Sequence, residues 1–458
     1  MAPGSTALSH SARDSNVVPQ VDDRRIPEGR LGRLARLAGA GLRAGASIVT
    51  DSDGSSAAEH AAEVFGTLRG LAAKVGQMAS YVDGVVPEGQ RAAYETAMKG
   101  LRAAAPTSSP AEIRKAIEEE LRGPIDKLFM RFDEVPIASA SIGQVHRAML
   151  PNGAEVAVKV QHPGIVKALD ADLANAGILQ AMIGTVAGKR FKTKEQLEVV
   201  RRRFREELDY ELEAERLRMF AGFHRDDRRI QLPTVHPSHS ARRVLTTDFM
   251  RGASFEEACA ASDGERRAWA ETLWRFVFKG NLVHMHFNAD PHPGNFFFGE
   301  DGAVVFLDFG CVQPIPEHNA KYARAMHRAA LDRDERAFGG SVARLLEAKP
   351  GKLRDLAVAY TRMCFEPLFN APYTITRPYA ASLVAEMKSM AVVARKARDD
   401  EFFAMPEDML FMNRLQFGFY SLLARLDVAV DYARIEASFF HEVPGYLTAS
   451  GATSDRHP

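Results

Sequence analysis

The sequence predicts an α+β protein in which a strand-rich segment precedes a long, mainly helical one. Two alternating apolar runs, Ile137–Leu150 and Glu155–Gln161, flank a Pro-Asn-Gly turn and predict a β-hairpin. A third run, Arg242–Met250, predicts an inner strand that enters a linker ending at Gly252. After that glycine the chain is predicted to be predominantly helical, over about Glu256–Phe287 and again from Asn319 onward; the later helices include about Val358–Phe365, Tyr379–Arg398 and Asp408–Leu426.

Composition and charge place the chain among ordinary globular proteins. Apolar residues make up 46% and charged residues 26% of its 458 residues. Lysine plus arginine equals aspartate plus glutamate at 59 each, so no overall field favours nucleic acid or an acidic partner. The cysteines, Cys259, Cys311 and Cys364, are too widely spaced for a metal-ligand motif and predict a reducing compartment such as the cytoplasm.

The sequence predicts neither a signal peptide nor a membrane span. Residues 1–22 and 448–458 are polar and aperiodic, and we expect them to be disordered tails. The most apolar long segment, Leu173–Gly188, is too short to cross a bilayer. A basic segment, Arg24–Thr50, predicts an amphipathic helix that lies either on an anionic membrane surface or against the main domain.

Helices are predicted upstream of the strands. Apolar side chains recur at three- and four-residue steps over Ser56–Val82, which indicates a helix with one apolar stripe. Lys74 and Gln77 are three residues apart beside that stripe and therefore share a face. A further helical segment, Pro110–Arg122, leads into the hairpin.

The hairpin carries two features that suit phosphate binding. Its first strand opens at a loop of small residues, which allow a backbone to approach phosphates closely: Ala138, Ser139, Ala140 and Ser141. On the second strand Lys159 follows Val-Ala-Val, a context in which a strand lysine reaches nucleotide phosphates. Val158 and Val160 point the other way, so an inward Lys159 needs a charged partner.

That partner is expected on the next helix, predicted over Lys194–Phe223. The segment contains an acidic cluster, Glu206–Glu215, of a kind that is usually a solvated helix face. Kinase-type folds nevertheless hold their strand lysine with one helix glutamate. The spacing alone does not select one of these carboxylates.

The strongest chemical signal is a stretch that begins at Asp290. Asn295 follows after four residues, then a short apolar strand, a turn, a second apolar strand and Asp308-Phe-Gly. This is the layout of a phosphoryl-transfer site, with Asn295 and Asp308 placed to hold Mg²⁺. An ordinary Asp-Pro turn before a hairpin explains the first half, but not an aspartate that closes an apolar strand.

Six motifs, in one order, together resemble the UbiB/ADCK (AarF-like) family of atypical protein-kinase-like proteins. Any one of them alone would be weak, whereas their concurrence covers most of the chain. They are Lys74–Gln77, Ala138–His146, Val156–Gly164, Glu207–Tyr210, Asn288–Asn295 and Leu307–Gly310.

The resemblance implies a two-lobed protein-kinase-like fold with an N-terminal helical extension. The extension would span residues 23–130, the N-lobe 131–250 and the helical C-lobe 251–447. In the family, the Lys-x-Gly-Gln helix of the extension lies across the site. Lys74 and Gln77 would then face Glu207 and Asp209, forming a lid that excludes large peptide substrates.

The resemblance also assigns roles within the site. Lys159 pairs with Glu213, the small-residue loop and Lys159 contact ATP, and Asp248 and Met250 lie on the adenine side. Asn295 and Asp308 bind Mg²⁺, and Asp290 is the catalytic carboxylate. Three roles remain open for Asp290: base for an acceptor hydroxyl, positioner of water, or third polar group near the metal.

Three positions depart from the family pattern. Ser139 adds a hydroxyl to an alanine-rich loop, and Asp248 stands where a glutamate is usual. Asn288 replaces the usual histidine, and we expect this to loosen the packing of the catalytic loop. None of these changes removes a phosphate or metal ligand.

The predicted function is that of a Mg²⁺-dependent, ATP-binding enzyme. It would be an ATPase or a kinase of small or lipidic substrates, connected by the family resemblance with quinone lipid metabolism. Two alternatives remain: an aminoglycoside- or choline-kinase-like phosphotransferase, and a pseudokinase scaffold whose nucleotide only switches shape. The sequence leaves the acceptor and the oligomeric state open.

Overall fold

A computed structural model describes residues 108–139, 142–167, 202, 205–396 and 407–443. Several predictions therefore lie outside the described residues. They concern both tails, the basic segment Arg24–Thr50, the helix Ser56–Val82 with Lys74 and Gln77, and the loop residues Ala140 and Ser141.

The N-terminal part of the described chain forms a five-stranded antiparallel sheet, and one face of this sheet packs against a helix. Strand β3 is central to the predicted hairpin and pairs with β4 from Gly143↔Gln161 to Met149↔Glu155. The sheet order is β1-β3-β4-β6, and β2 also pairs with β3. The strands are β1 Arg131–Phe132, β2 Ala138–Ser139, β3 Gly143–Met149, β4 Glu155–Gln161 and β6 Val244–Asp248.

Alternation along β4 decides which face is buried. Val156, Val158 and Val160 are fully buried against helix α1, Pro110–Leu121, which begins with a capping box formed by Ser109 and Glu112. A short helix, α2 (Ile125–Leu128), joins the same apolar cluster. Lys159 consequently points to the opposite face of the sheet, toward the rest of the chain.

The helix predicted over Lys194–Phe223 is interrupted once in its described part. Helical residues up to Glu207 are followed by a break at Leu208 and Asp209, and helix α3 spans Tyr210–Phe223. Asp209 is extended, and its carboxylate accepts hydrogen bonds from the Glu211 and Leu212 N–H groups. An aspartate that caps in this way starts a new helix, because it satisfies N–H groups that the previous turn cannot.

The predicted helix Glu256–Phe287 is also interrupted. Helix α4 covers Phe255–Cys259, and helix α5, Asp263–Leu282, starts at its own capping box, made by Ser262 and Glu265. Phe287 belongs to a strand, β7 (His286–Asn288), which pairs with β10 (Val312–Pro314). Tertiary pairing therefore overrides the helical spacing at the end of this segment.

A second, smaller sheet contains the hairpin that connects Asn295 to Asp308. Its antiparallel strands are β8 (Phe296–Phe298) and β9 (Val304–Phe306), and β5 (Ile230–Gln231) pairs in parallel with β9. The turn between them has positive φ at Asp301 and Gly302, as its Gly-Glu-Asp-Gly sequence predicts. The rings of Phe276 and Phe306 stack at a centroid distance of 3.7 Å.

The remaining chain is mainly helical, as predicted. Its apolar side chains join those of α3 and α5 in one large core around Trp274. None of the described helices is long and apolar enough to cross a membrane. The elements are α6 Glu317–Leu331, α7 Glu335–Leu345, α8 Lys352–Cys364, α9 Glu366–Phe369, β11 Tyr373–Thr374, α10 Arg377–Lys396, α11 Glu407–Leu426, β12 Ala429–Val430 and α12 Tyr432–Phe439.

Candidate active site

The β8–β9 hairpin brings Asn295 and Asp308 to the same end of the small sheet. Asn295 directly precedes β8, and Asp308 follows β9 by two residues. The Leu307 N–H donates to the Asn295 carbonyl at 3.0 Å and closes this end of the hairpin. The two predicted metal ligands are thus positioned by antiparallel pairing of residues that are close in sequence.

Asn288 connects the Asp290 loop to the Asp308 loop. Its side-chain amide donates to the Asp308 carbonyl at 2.6 Å, and its side-chain oxygen accepts from the Asp290 N–H at 3.2 Å. The Asn295 amide donates to the Asp290 carbonyl at 3.2 Å, so both backbone groups of Asp290 are held by asparagines. The short amide side chain of Asn288 thus bonds both loops at once, and the expected loosening relative to a histidine stays a prediction.

Lys159 lies between two carboxylates from different elements. Its Nζ is 2.7 Å from Glu213 Oε1 and 3.0 Å from Asp308 Oδ2, and it lies over the Tyr210 ring, 5.1 Å from the centroid. Glu213 reaches it from the first turn of α3. Strand β4, helix α3 and the loop Asp308–Gly310, named the metal loop for its predicted ligand, therefore meet at the Lys159 ammonium group.

Burial and charge act in opposite directions on this cluster. Burial disfavours the charge of Lys159, but Asp308 and Glu213 outweigh that effect and hold the lysine pKa well above its ordinary value. Burial raises the pKa of Glu213 to about 7, although the Lys159 charge opposes the shift. Lys159 therefore carries its charge at neutral pH, and its ammonium group lies between the Glu213 and Asp308 carboxyl groups.

The small-residue loop borders this cluster through Gly143. Ala138 and Ser139 form β2, paired with β3 across Val145 and Gln144. A Cβ atom on Gly143 would lie 2.5 Å from the Val160 carbonyl oxygen and 2.8 Å from the Tyr210 hydroxyl. Only glycine allows such a close approach of the loop to β4 and α3.

The two described gating candidates, Glu207 and Asp209, lie in different surroundings. Glu207 is buried, and its Cγ would be 3.9 Å from a Cβ built on Gly310. Asp209 caps α3, and its Oδ2 lies 3.7 Å from Nε of Arg242. Their predicted partners, Lys74 and Gln77, are outside the described residues, so the lid contact stays a prediction.

The predicted adenine side lies at the end of β6. The Asp248 carboxylate accepts hydrogen bonds from the Thr234 N–H and from His236, which lower its pKa against the effect of burial. The Phe249 N–H donates to the backbone carbonyl of Glu155 at 3.0 Å. Met250 follows, and among the described hydrogen bonds none uses its N–H.

Sequence reasoning missed one functional candidate on α3, Arg216. One guanidinium nitrogen donates to the Gly310 carbonyl at 2.9 Å, and another donates to Glu206 Oε2 at 2.6 Å. Arg216 lies three residues after Glu213 and therefore on the same helix face. That spacing was the available signal, but the long-range contact to Gly310 is visible only in the fold.

The donor set suits Mg²⁺ bound together with a nucleotide. Asp308 and Asn295 offer oxygen ligands, which this hard cation prefers. Within the described residues no group of three or more His, Cys, Asp or Glu side chains is arranged to hold a metal. A site with so few protein ligands needs phosphate oxygens and water to complete it, as is usual for Mg²⁺ in nucleotide sites.

The strand lysine, the helix glutamate and the Asp-Phe-Gly loop define a kinase-like protein. The model of the ABC1 atypical kinase-like domain matches residues 100–340, more than half of the chain. The chain belongs to this family, and the UbiB/ADCK resemblance is thereby confirmed.

Individual relatives agree with this membership. The chain is 28% identical over 387 residues to the atypical kinase COQ8, mitochondrial, of Saccharomyces cerevisiae, covering 82% of this chain and 74% of the relative. It is 34% identical over 261 residues to the uncharacterized protein Rv0647c of Mycobacterium tuberculosis, covering 55% and 52%. It is 30% identical over 266 residues to the chloroplastic protein Activity of BC1 complex kinase 7 of Arabidopsis thaliana, covering 57% and 37%.

A solved structure is similar in fold. The complex of Rv3197 with erythromycin from Mycobacterium tuberculosis superposes with a TM-score of 0.58 at 23% identity, covering 89% of this chain and 97% of the other. At this identity the likeness concerns the fold alone. The α+β, kinase-like architecture predicted from the sequence is confirmed.

Proposed function

We propose that the chain is a Mg²⁺-dependent ATP-binding enzyme that hydrolyses ATP or transfers its terminal phosphoryl group to a small or lipidic acceptor. The observation that carries the proposal is the position of Lys159, which is shared by Glu213 and Asp308 beside Asn295. The Lys159 side chain is only 22% exposed, and desolvating a lysine with two carboxylates is costly, so stability alone is a weak reason for this cluster.

The chain's own residues would act mainly by positioning and charge. A phosphate oxygen would compete with Asp308 for Lys159, while Glu213 keeps the ammonium in place. Asp308 and Asn295 would hold Mg²⁺, which neutralises phosphate charge when bound. Asp290 would face the attacking or accepting oxygen, and its fixed backbone keeps it there.

The nucleotide-side residues follow from the same arrangement. Ala138, Ser139 and the adjoining Ala140 and Ser141 would border the phosphates, and the backbone of Met250 would meet the adenine ring. The Asp248 side chain is committed to Thr234 and His236, so its contribution would come from its backbone.

The acceptor class is a further part of the proposal. A lid made by Lys74 and Gln77 on Glu207 and Asp209 would exclude large peptides and leave small or lipidic acceptors. The family resemblance favours acceptors or activators from quinone lipid metabolism. Peripheral contact with anionic membranes would involve Arg24–Arg43, and vesicle binding that survives deletion of this segment would refute that part.

The direct test is ATP turnover by wild type and Asp290→Asn. We expect wild type to release or transfer phosphate only with Mg²⁺, and the variant to lose roughly 100-fold or more of this rate while still binding ATP. Asp301→Asn is the control, because Asp301 is an exposed turn residue of the nearby hairpin. The assay includes quinone precursors, liposomes and amino sugars as acceptors.

The outcomes separate the three candidate functions. Robust phosphorylation of a soluble amino sugar would favour the aminoglycoside-kinase-like alternative. ATP binding without phosphate release or transfer under any of these conditions would favour the pseudokinase scaffold.

A further inference from the structure

Helix α3 holds the metal loop at two points. The first is indirect: Glu213 binds Lys159, and Lys159 binds Asp308 Oδ2. The second is direct: Arg216, one turn later on the same face, donates to the Gly310 carbonyl at 2.9 Å. The Arg216 side chain is only 11% exposed, so this contact is made in a largely desolvated environment.

The direct contact bears on the orientation of the Asp308 carboxylate. The Gly310 N–H donates to Asp308 Oδ1 at 2.9 Å, while the Gly310 carbonyl accepts from Arg216. A Cβ on Gly310 would lie 3.2 Å from Asp308 Oδ1, which shows how closely this residue and the carboxylate fit. Displacing Gly310 would therefore rotate or release the proposed metal ligand.

The two contacts between α3 and the metal loop would respond differently to a bound nucleotide. A bound phosphate would attract Lys159 away from Asp308, so the indirect contact through Lys159 would weaken when a nucleotide binds. Arg216 faces Gly310 and Glu206, and its contact does not depend on Lys159. A guanidinium suits this task, since its planar fork donates to a carbonyl and a carboxylate at once.

We propose that Arg216 is a positioning residue that keeps Asp308 oriented for Mg²⁺ while the nucleotide occupies Lys159. It also links the metal loop to Glu206, beside the gating candidates Glu207 and Asp209. The inference rests on the proposed function. It adds that metal affinity, and not nucleotide affinity itself, depends on Arg216.

The test measures Mg²⁺ dependence and not turnover. The Mg²⁺ concentration for half-maximal ATP binding is determined at fixed ATP, alongside ATP binding without metal. We expect Arg216→Met to raise the Mg²⁺ requirement roughly tenfold or more, because a hydrogen-bonded charge is lost. Metal-free ATP binding by Arg216→Met should stay within about twofold of wild type. Arg216→Lys keeps the charge but has only one nitrogen that donates, so its Mg²⁺ requirement should lie between those of wild type and Arg216→Met.

Arg266→Met is the matched control. Arg266 also bridges a backbone carbonyl, that of Leu426, and a carboxylate, that of Asp263, and its side chain is 18% exposed, but it belongs to α5 away from the metal loop. This variant should retain the wild-type Mg²⁺ requirement. Thermal unfolding without ligands verifies that each variant is folded. If Arg216→Met does not fold, the Mg²⁺ requirement of Arg216→Lys tests the proposal.

The failures of the two proposals are distinguishable. A wild-type Mg²⁺ requirement in the Arg216 variants, or equal losses with and without metal, would overturn this inference alone. Absence of any Mg²⁺-dependent ATP binding by wild type would overturn the proposed function and this inference with it.

Discussion

A single ammonium group organises the residues of the candidate site. Lys159 lies on the face of β4 opposite to Val158 and Val160, and the same alternation that buries the valines delivers the lysine to Glu213 and Asp308. The pairing with a helix carboxylate was predicted from the sequence, because a lysine facing inward requires one. Contact with Asp308, 149 residues away, needed the fold.

The hydroxyl of Tyr210 gives a prediction at the residue scale. It is fully buried, and among the described residues it has no hydrogen-bond partner. Because an unsatisfied buried hydroxyl costs about 1–3 kcal/mol, Tyr210→Phe should leave the free energy of unfolding unchanged or raise it by about 1 kcal/mol. Denaturant unfolding measures the change.

Tyr420→Phe is the matched comparison for this prediction. The Tyr420 hydroxyl is equally buried but donates to the Cys364 carbonyl at 2.8 Å, so its loss should cost about 0.5–1.5 kcal/mol. A Tyr210→Phe variant that loses more stability than Tyr420→Phe would show that the Tyr210 hydroxyl has a partner after all.

At the scale of elements, helix starts were the main source of disagreement with the sequence. The Ser262–Glu265 capping box is visible in the sequence, but continuous apolar spacing over Glu256–Phe287 obscured it. The helix predicted over Lys194–Phe223 also has Asp209 in its interior. In the structure Asp209 caps α3, and this places Glu213 in the first turn, opposite Lys159.

The end of α3 gives a prediction about pH. Burial lowers the pKa of His224 to about 3, with His284 and Lys279 adding to the shift and Asp227 opposing it. The native pKa lies below that of the unfolded chain, about 6.5, so the unfolded chain takes up the proton first. Stability present above that pH is therefore lost on acidification, by about 1.4 kcal/mol per pH unit at most.

His224→Leu should remove this part of the acid sensitivity. The free energy of unfolding is measured for wild type and variant near neutrality and about two pH units lower, and the variant should lose less on acidification. His318→Gln, a change at an exposed histidine of α6, should behave as wild type. Equal losses in wild type and His224→Leu would contradict the assignment of this proton uptake to His224.

At the scale of the whole molecule, the site lies where two apolar cores meet. One core joins α1 to the five-stranded sheet, and the other joins α3 to the helices of the second half. The polar motifs were predictable because each has a local pattern of its own, as with Asp290, Asn295 and Asp308. Arg216 and the bridging role of Asn288 were not, because they depend on contacts between segments that only the assembled cores bring together.

The central proposal is that ATP and Mg²⁺ bind together at this site through Lys159 and Asp308. It is tested most directly by calorimetric titration of ATP, with and without Mg²⁺, into wild type, Lys159→Ala and Asp308→Asn. Wild type should bind more tightly with Mg²⁺, Lys159→Ala should lose roughly tenfold or more in affinity, and Asp308→Asn should lose the dependence on metal. Equal, metal-independent binding by all three proteins, or no binding by wild type, would contradict the claim.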